Sequence, residues 1–183
     1  MKQPFQPTSR FPRRKNDFYA TWDTRATPPL LPHLHPATRF IEPCAGAGDL
    51  TAQLRAAGHV CTEQTDINPQ APDIEQADAA TRQYDVSNGE IFITNPPWTR
   101  QILQPMLLNW LKQAPVWILI DAGFPYNKRT DERIKNCLAR QVPVGRLKWI
   151  RNSPHDSSKN TVWCYLTSEW NKPYSEFYPW REK

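Results

Sequence analysis

The chain has 183 residues and a net charge of +5, a length that suits one domain with a sizeable buried core. We expect neither a membrane span nor a secretory signal, because no run is long and apolar enough to cross a bilayer and no apolar stretch follows the N-terminal charges. The four cysteines are scattered without the spacing of a zinc site or a disulfide framework, which predicts reduced thiols in a cytoplasmic protein and no metal site: Cys44, Cys61, Cys137 and Cys164.

Predicted strands and helices alternate along the chain, which indicates an α/β fold with a largely parallel sheet. The strand at 116–120 is apolar throughout, as in a sheet covered on both faces, and the helix at 100–113 has apolar residues at helical spacing. In chain order the predicted elements are a short helical or turn segment at 17–34, a strand at 39–42, a helix at 49–57, strands at 59–65 and 90–94, a helix at 100–113, a strand at 116–120, a helix at 130–140, and strands at 145–150 and 161–167.

A glycine-containing turn, Glu42-Pro43-Cys44-Ala45-Gly46-Ala47-Gly48-Asp49, follows the first strand. In a doubly wound sheet, ligands bind outside the carboxyl ends of the strands, and small residues there let the backbone approach a ligand closely. The turn lacks both the G-x-G-x-x-G spacing and the Gly-Lys-Ser/Thr of a P-loop, which disfavours nicotinamide cofactors and nucleoside triphosphates. After the second strand comes Thr65-Asp66-Ile67-Asn68, whose acid is placed to bind both hydroxyls of a ribose.

The most informative motif is Asn95-Pro96-Pro97-Trp98, directly after the strand at 90–94. Two prolines end the strand rigidly, because they fix φ and remove two backbone donors. The Asn side chain and nearby carbonyls can accept hydrogen bonds from an exocyclic amine, and the indole can stack on a ring, so the motif suits a flat substrate that carries nitrogen. By itself the motif also fits a strand that merely ends in proline with a packed Trp.

Positive charge is concentrated in two segments. Residues 1–16 carry +5 with no acid, residues 17–126 carry −6, and residues 127–151 carry +6. Two basic segments on an acidic body are typical of a nucleic-acid-binding protein, although the first alone fits solvated surface equally well. We predict a flexible basic arm at 1–16 and substrate loops in the polar, aromatic-containing connections that hold Phe124, Tyr126, Lys128, Arg129 and His155.

Together the ordered motifs E-P-C-A-G-A-G-D, T-D-I-N and I-F-I-T-N-P-P-W resemble those of class I S-adenosylmethionine-dependent amino-methyltransferases. Within that group the chain is most similar to compact phage-type DNA adenine-N6 methyltransferases. The segment at 17–21 resembles the one that covers the methionine end of the cofactor, with Trp22 where the family usually has proline. The resemblance spans residues 17–167 and leaves an aromatic-rich tail at 168–183. The chain has no room for the separate target-recognition domain of the family's larger members, so the resemblance does not imply sequence-specific recognition of DNA.

The resemblance implies a Rossmann-like, doubly wound sheet with a late antiparallel strand, and S-adenosylmethionine as cofactor. It implies catalysis at the Asn95–Trp98 motif: Asn95 and the Pro96 carbonyl accept hydrogen bonds from the target amine, Pro97 holds the turn, and Trp98 stacks on the base. The residues implied to bind the cofactor are Tyr19, Thr21, Glu42, Cys44, Gly46, Gly48, Asp66, Ile67, Asp78 and Asn95.

The activity implied is methylation of adenine N6 in DNA, by a protein of the bacterial cytoplasm that a phage can encode. Cytosine N4 is a close variant of this target. RNA and protein glutamine remain alternative substrates. A catalytically inactive nucleic-acid-binding module with the same fold remains an alternative function. The target sequence, the strandedness of the substrate and the oligomeric state are left open.

Overall fold

The computed structural model describes residues 19–169 and 176–177, whose strands form one eight-stranded sheet in the order β3-β2-β1-β4-β5-β7-β6-β8. The strands are β1 Arg39–Glu42, β2 Val60–Asp66, β3 Glu75–Gln76, β4 Ile91–Thr94, β5 Val116–Asp121, β6 Leu138–Gly145, β7 Thr161–Leu166 and β8 Glu176–Phe177. The helices are α1 Asp49–Ala56, α2 Arg100–Trp110 and α3 Glu132–Asn136, with a short 3-10 helix at Leu31–His33.

The first five strands are parallel, and β7 runs antiparallel to both β5 and β6. Strand order runs outward from β1 through β2 to β3 on one side, and from β4 to β5 on the other. The order therefore reverses between β1 and β4, and this is where open α/β sheets bind ligands. The predicted doubly wound, mostly parallel sheet with a late antiparallel strand is confirmed.

The sheet is covered on both faces, as the apolar sequence of β5 predicts. On one face Val116 and Ile118 join the buried side chains of α2, which recur at i, i+3, i+4 and i+7: Leu103, Met106, Leu107 and Trp110. On the other face Trp117 and Leu119 pack with Leu50 and Leu54 of α1. Alternate residues of one strand thus belong to two separate cores, which makes β5 the centre of a three-layer structure.

The late part of the chain departs from the prediction. The helix expected at 130–140 is only the short α3, and the strand expected at 145–150 is wrong, since β6 spans Leu138–Gly145. Two features weaken the sequence signal for β6. Its first residues have helical composition, and it contains Pro143, which lies beside a register shift between Pro143 and Gly145. Irregular positions of this kind are where strands accommodate proline.

Beyond residue 167, β8 adds Glu176 and Phe177 to the sheet beside Arg140 and Gln141 of β6, and Arg140 forms an ion pair with Glu176 at 3.2 Å. The predicted arm at 1–16 lies outside the described residues, and so do the tail aromatics Trp170, Tyr174, Tyr178 and Trp180. None of the helices in the described part of the chain is long and apolar enough to cross a membrane.

Candidate active site

The predicted cofactor and catalytic motifs lie at the carboxyl ends of neighbouring parallel strands, which we call the strand edge. Strands β3, β2, β1 and β4 are neighbours and parallel, so the segments that follow them emerge side by side. Asp78 follows β3, Asp66 ends β2, the glycine turn follows β1, and Asn95 follows β4. These residues are far apart in the sequence, and the order of the strands in the sheet brings them to the same strand edge.

The glycine turn depends on backbone angles that other residues rarely adopt. Gly46 has φ 57° and Gly48 has φ 82°, both left-handed, which glycine tolerates because it has no Cβ. The turn is bonded to the end of β2: Ala45 N donates to Thr65 O at 2.9 Å, and Gly46 N donates to Asp66 Oδ2 at 2.8 Å. Gly48 is the N-cap residue of α1, which begins at Asp49. The turn is therefore fastened to the end of β2 by two backbone N–H groups.

Asp66 is positioned by two backbone donors. Its Oδ2 accepts from Gly46 N, and its Oδ1 accepts from Asn68 N at 2.8 Å. A carboxylate oxygen can accept more than one hydrogen bond, so both oxygens keep capacity for a ligand's hydroxyls. The next side chain, Ile67, is 52% exposed, which is unusual for a large apolar residue beside a polar site. Asp78 is exposed, and its Oδ1 accepts from Ala80 N at 2.9 Å.

Glu42 is the last residue of β1, directly before the glycine turn, and is only 2% exposed. Its carboxyl accepts a hydrogen bond from the Thr51 hydroxyl of α1. Burial is the main cause that raises the pKa of Glu42 to about 8; the carboxylates of Asp66 and Asp49 act in the same direction, and the hydrogen bond from Thr51 opposes them. Glu42 is therefore largely protonated at neutral pH. Burial also raises the pKa of the half-buried Cys44, so this residue is a thiol and not a thiolate.

Replacing Glu42 with Gln is expected to remove a pH-dependent loss of stability. The ordinary pKa of Glu is about 4.3, so between pH 4 and pH 8 the unfolded chain releases a proton that the folded chain retains. The stability that protonated Glu42 contributes is therefore fully present below pH 4 and is lost as pH rises through the folded-state pKa of about 8. The free energy of unfolding of Glu42→Gln relative to the native protein should rise by up to about 5 kcal/mol between pH 4 and pH 8.5.

Urea unfolding of both proteins at the two pH values measures this difference, with Glu132→Gln on the exposed surface of α3 as the matched control. The same pH dependence in Glu42→Gln and the native protein would contradict a buried, protonated Glu42.

Asn95 is held in one orientation by the segment that precedes the 3-10 helix. Its Nδ2 donates to the Tyr19 carbonyl at 3.1 Å and to the Thr21 hydroxyl at 3.0 Å. That segment is in turn bonded to α1, where Gln53 Nε2 donates to the Thr21 carbonyl at 2.6 Å. Since both amide hydrogens are used, the Oδ1 side of Asn95 is the side left for another donor. No sequence signal identified Gln53 as part of this support.

Trp98 completes the turn and is also anchored. Its indole N–H is shared between the Leu119 carbonyl at 3.2 Å and Asn95 Oδ1 at 3.3 Å. The edge of its ring meets Trp149, with ring centroids 5.5 Å apart and an interplanar angle of 86°. Of the two prolines between Asn95 and Trp98, Pro96 is buried and Pro97 is half-buried. Trp98 is thus a fixed, half-buried plane beside Asn95, and Trp149 is a neighbour that the sequence did not indicate.

The predicted substrate residues are not gathered at one place. Phe124 packs against the core on the α2 face. Tyr126 is 71% exposed, and its hydroxyl donates to Gln141 on β6 at 3.1 Å. Lys128 and Arg129 are exposed on a loop that α2 holds through Gln104, whose Nε2 donates to the Arg129 carbonyl at 3.4 Å. His155 lies in a different connection, between β6 and β7, where it lines an open cleft.

No protein-family model matches the chain, and no curated protein does. Among solved structures, the 23S rRNA methyltransferase ErmE is similar with a TM-score of 0.54 and 18% identity, over 83% of this chain and 70% of that chain. The methyltransferase subunit of a type I restriction-modification system from Streptococcus thermophilus is similar with a TM-score of 0.52 and 10% identity, over 83% of this chain and 43% of that chain. The chain has the class I methyltransferase fold. The fold predicted from the three motifs is therefore confirmed, and at these identities the likeness concerns the fold alone.

Proposed function

We propose that the protein transfers a methyl group from S-adenosylmethionine to the exocyclic amine of a nucleic-acid base, and that this base is adenine, methylated at N6 in DNA. The observation that carries the proposal is the orientation of Asn95. Both of its amide hydrogens are taken by Tyr19 and Thr21. Its carboxamide oxygen accepts from Trp98 Nε1 at 3.3 Å and keeps capacity for one more donor at the strand ends where Asp66 also lies.

The residues along this edge fit the cofactor. S-adenosylmethionine carries two ribose hydroxyls, an ammonium group and a net positive charge, so it needs acceptors and negative charge. Asp49 Oδ2 and Gln64 Oε1 beside the glycine turn are buried acceptors without a hydrogen-bond partner among the described residues. Asp66 would hold the ribose hydroxyls, Ile67 would cover the adenine ring, and Asp78 would accept from the adenine amine.

When bound, S-adenosylmethionine supplies a methyl group already activated by the positive charge on its sulfur. The chain's own task is then to position and activate the amine. The lone pair of an exocyclic base amine is delocalised into the ring, which makes the amine a poor nucleophile. Acceptance of its two N–H bonds by Asn95 Oδ1 and the Pro96 carbonyl favours a pyramidal nitrogen and frees that lone pair. Positioning and electrostatic stabilisation of this kind need no nucleophilic side chain.

Two substitutions at Trp98 are expected to separate stacking from positioning. Trp98→Ala removes the aromatic plane and should raise the KM for an adenine-containing oligonucleotide roughly 5- to 150-fold, the range for loss of one base–aromatic stack. Trp98→Phe keeps a plane but loses the N–H that bonds to Asn95 Oδ1, so kcat should fall about fivefold with a smaller change in KM. Steady-state kinetics measure both. An unchanged kcat in Trp98→Phe would contradict the positioning role, and an unchanged KM in Trp98→Ala would contradict stacking.

RNA is the second substrate class that an observation favours, because the similar ErmE structure is that of a 23S rRNA methyltransferase. The type I restriction-modification subunit represents a DNA-modification system on the same fold. The two basic segments at 1–16 and 127–151 support a nucleic acid over a protein glutamine.

Calorimetric titration with S-adenosylmethionine separates an enzyme from a binding module that only keeps the fold. We expect saturable binding at one site per chain. Undetectable binding, with nucleic-acid affinity intact, would favour the module and overturn the proposed function.

A further inference from the structure

An open cleft of about 680 Å³ lies beside the candidate active site and takes no part in the chemistry described above. The side chains that line it are polar, cationic and aromatic: Trp22, Asp23, Arg25, Arg146, Lys148, Pro154, His155 and Asp156. Its volume is within the range of about 300–1,000 Å³ that is typical of ligand pockets. From the sequence, His155 and Asp156 were expected in a substrate loop, and Arg146 and Lys148 belong to the basic segment at 127–151.

Both walls of the cleft continue from groups that touch the Asn95–Trp98 turn. Trp22 directly follows Thr21, which accepts a hydrogen bond from Asn95. Lys148 directly precedes Trp149, whose ring meets that of Trp98. The walls are joined to each other, because the Lys148 backbone N–H donates to Asp23 Oδ2 at 2.8 Å. A polymer whose target base reaches Trp98 therefore has this cleft as an adjoining surface.

Two of the three Arg and Lys side chains that line the cleft form no salt bridge, although the charge of Lys148 acts on Asp156 through space and helps to lower its pKa. Arg25 is engaged, since it bridges Asp23 at 2.7 Å and Asp156 at 2.9 Å across the two walls. Arg146 and Lys148 form no ion pair with any residue in the described part of the chain. The Arg and Lys side chains of the cleft outnumber its carboxylates by three to two, so the cleft carries a net positive charge. Arg25 joins its two walls through the ion pairs with Asp23 and Asp156.

An aromatic face accompanies this charge. The Arg151 guanidinium lies over the Trp22 ring at 5.7 Å from its centroid and also pairs with Asp49 at 3.2 Å, which holds the Trp22 side chain at the cleft. Cations for phosphates together with an aromatic plane for a base are the two elements of sites that bind single-stranded nucleic acid.

We infer that this cleft binds the unpaired nucleotides next to the target base, with Arg146 and Lys148 on the phosphates and Trp22 stacked on a neighbouring base. The inference rests on the proposed function for the identity of the target base. It places the strand between residues 22–25 and the β6–β7 connection, and not on the exposed Lys128–Arg129 loop.

The test compares two charge-matched double variants of the full chain by fluorescence anisotropy with a labelled single-stranded DNA oligonucleotide. Arg146→Ala/Lys148→Ala removes the two cations of the cleft that form no salt bridge. Arg55→Ala/Lys112→Ala removes one exposed Arg and one exposed Lys. Arg55 lies in the last turn of α1 and Lys112 lies just after α2, both near the amino ends of the strands that follow. Loss of two phosphate contacts on a single strand should lower the slope of log affinity against log salt by about 1.4, and the control should keep the native slope.

Trp22→Ala is expected to weaken binding of the same oligonucleotide roughly 5- to 150-fold without changing the salt slope. Circular dichroism checks that each variant is folded. Native slope and affinity in Arg146→Ala/Lys148→Ala, or no oligonucleotide binding by the native protein at low salt, would overturn the inference.

The same proteins distinguish failure of the inference from failure of the proposed function. If the native protein methylates DNA and the cleft variant keeps its affinity and KM, the cleft assignment is wrong and the function stands. If the native protein does not bind S-adenosylmethionine but the cleft variant loses oligonucleotide affinity, the function is wrong and the cleft assignment stands.

Discussion

Asn95→Ala is expected to lower kcat for methyl transfer about 10²–10³-fold, the range for removal of one preorganised group that stabilises charge in a transition state. The physical reason is that the carboxamide oxygen accepts an N–H of the target amine while its positive charge develops. Affinity for S-adenosylmethionine should fall by less than about tenfold, the equivalent of one ordinary hydrogen bond. Single-turnover kinetics with labelled cofactor, beside calorimetry, measure the two effects separately.

A matched control for Asn95→Ala is Asn109→Ala. Asn109 Nδ2 on α2 donates to two carbonyls, those of Ala79 at 3.3 Å and Arg82 at 2.9 Å, so its loss removes a comparable pair of hydrogen bonds away from the strand edge. Asn109→Ala should destabilise the fold similarly and leave kcat within about twofold of the native value. Full activity in Asn95→Ala would rule out the proposed activation of the amine.

Asp66→Asn is expected to weaken S-adenosylmethionine binding roughly 10- to 150-fold, the range for a hydrogen bond to a charged group. The substitution keeps the shape of the side chain but removes a negative charge and turns one acceptor into a donor. Because the carboxylate also accepts from Gly46 N and Asn68 N, a simple loss of affinity has two readings: lost contacts to the ribose or a disturbed glycine turn.

A cofactor with a 2′-deoxyribose separates these readings. In the native protein, loss of that hydroxyl should reduce affinity, whereas in Asp66→Asn it should have little further effect, as expected for two groups that contact each other. Asp85→Asn is the control. Like Asp66, Asp85 accepts at Oδ1 a hydrogen bond from the backbone N–H two residues later, here Ser87 N at 3.0 Å, but it lies outside the site, before β4. Equal sensitivity to the 2′-hydroxyl in native protein and Asp66→Asn would contradict the ribose assignment.

The parts of the site that the sequence predicts are those set by local chemistry. Strand β5 is apolar because both faces of the sheet are covered, and the glycines of the turn are required by left-handed φ values. Asp66 ends β2 and Asn95 directly follows β4, so the rule that ligands bind at the carboxyl ends of parallel strands is enough to place them together.

The remaining features depend on contacts between distant segments. The bond between Asn95 and the Tyr19 carbonyl joins residues 76 positions apart, and the meeting of Trp98 with Trp149 depends on where the chain runs after β6. That strand was itself mispredicted, so although the connection that holds His155 was expected to be a substrate loop, the cleft that it forms with Trp22 could not be predicted from the sequence. Burial of Glu42, and with it the raised pKa, likewise follows from packing between β1 and α1.

The most direct test of the central claim is nucleoside analysis of DNA and of RNA incubated separately with the native protein and S-adenosylmethionine carrying an isotopically labelled methyl group. We predict label in N6-methyl-2′-deoxyadenosine from the DNA, and at least about a hundredfold less label in the same time when Asn95→Ala replaces the native protein. Label confined to RNA adenine would keep the chemistry but contradict the DNA assignment. Absence of label from both polymers, with the cofactor bound, would contradict the proposed function itself.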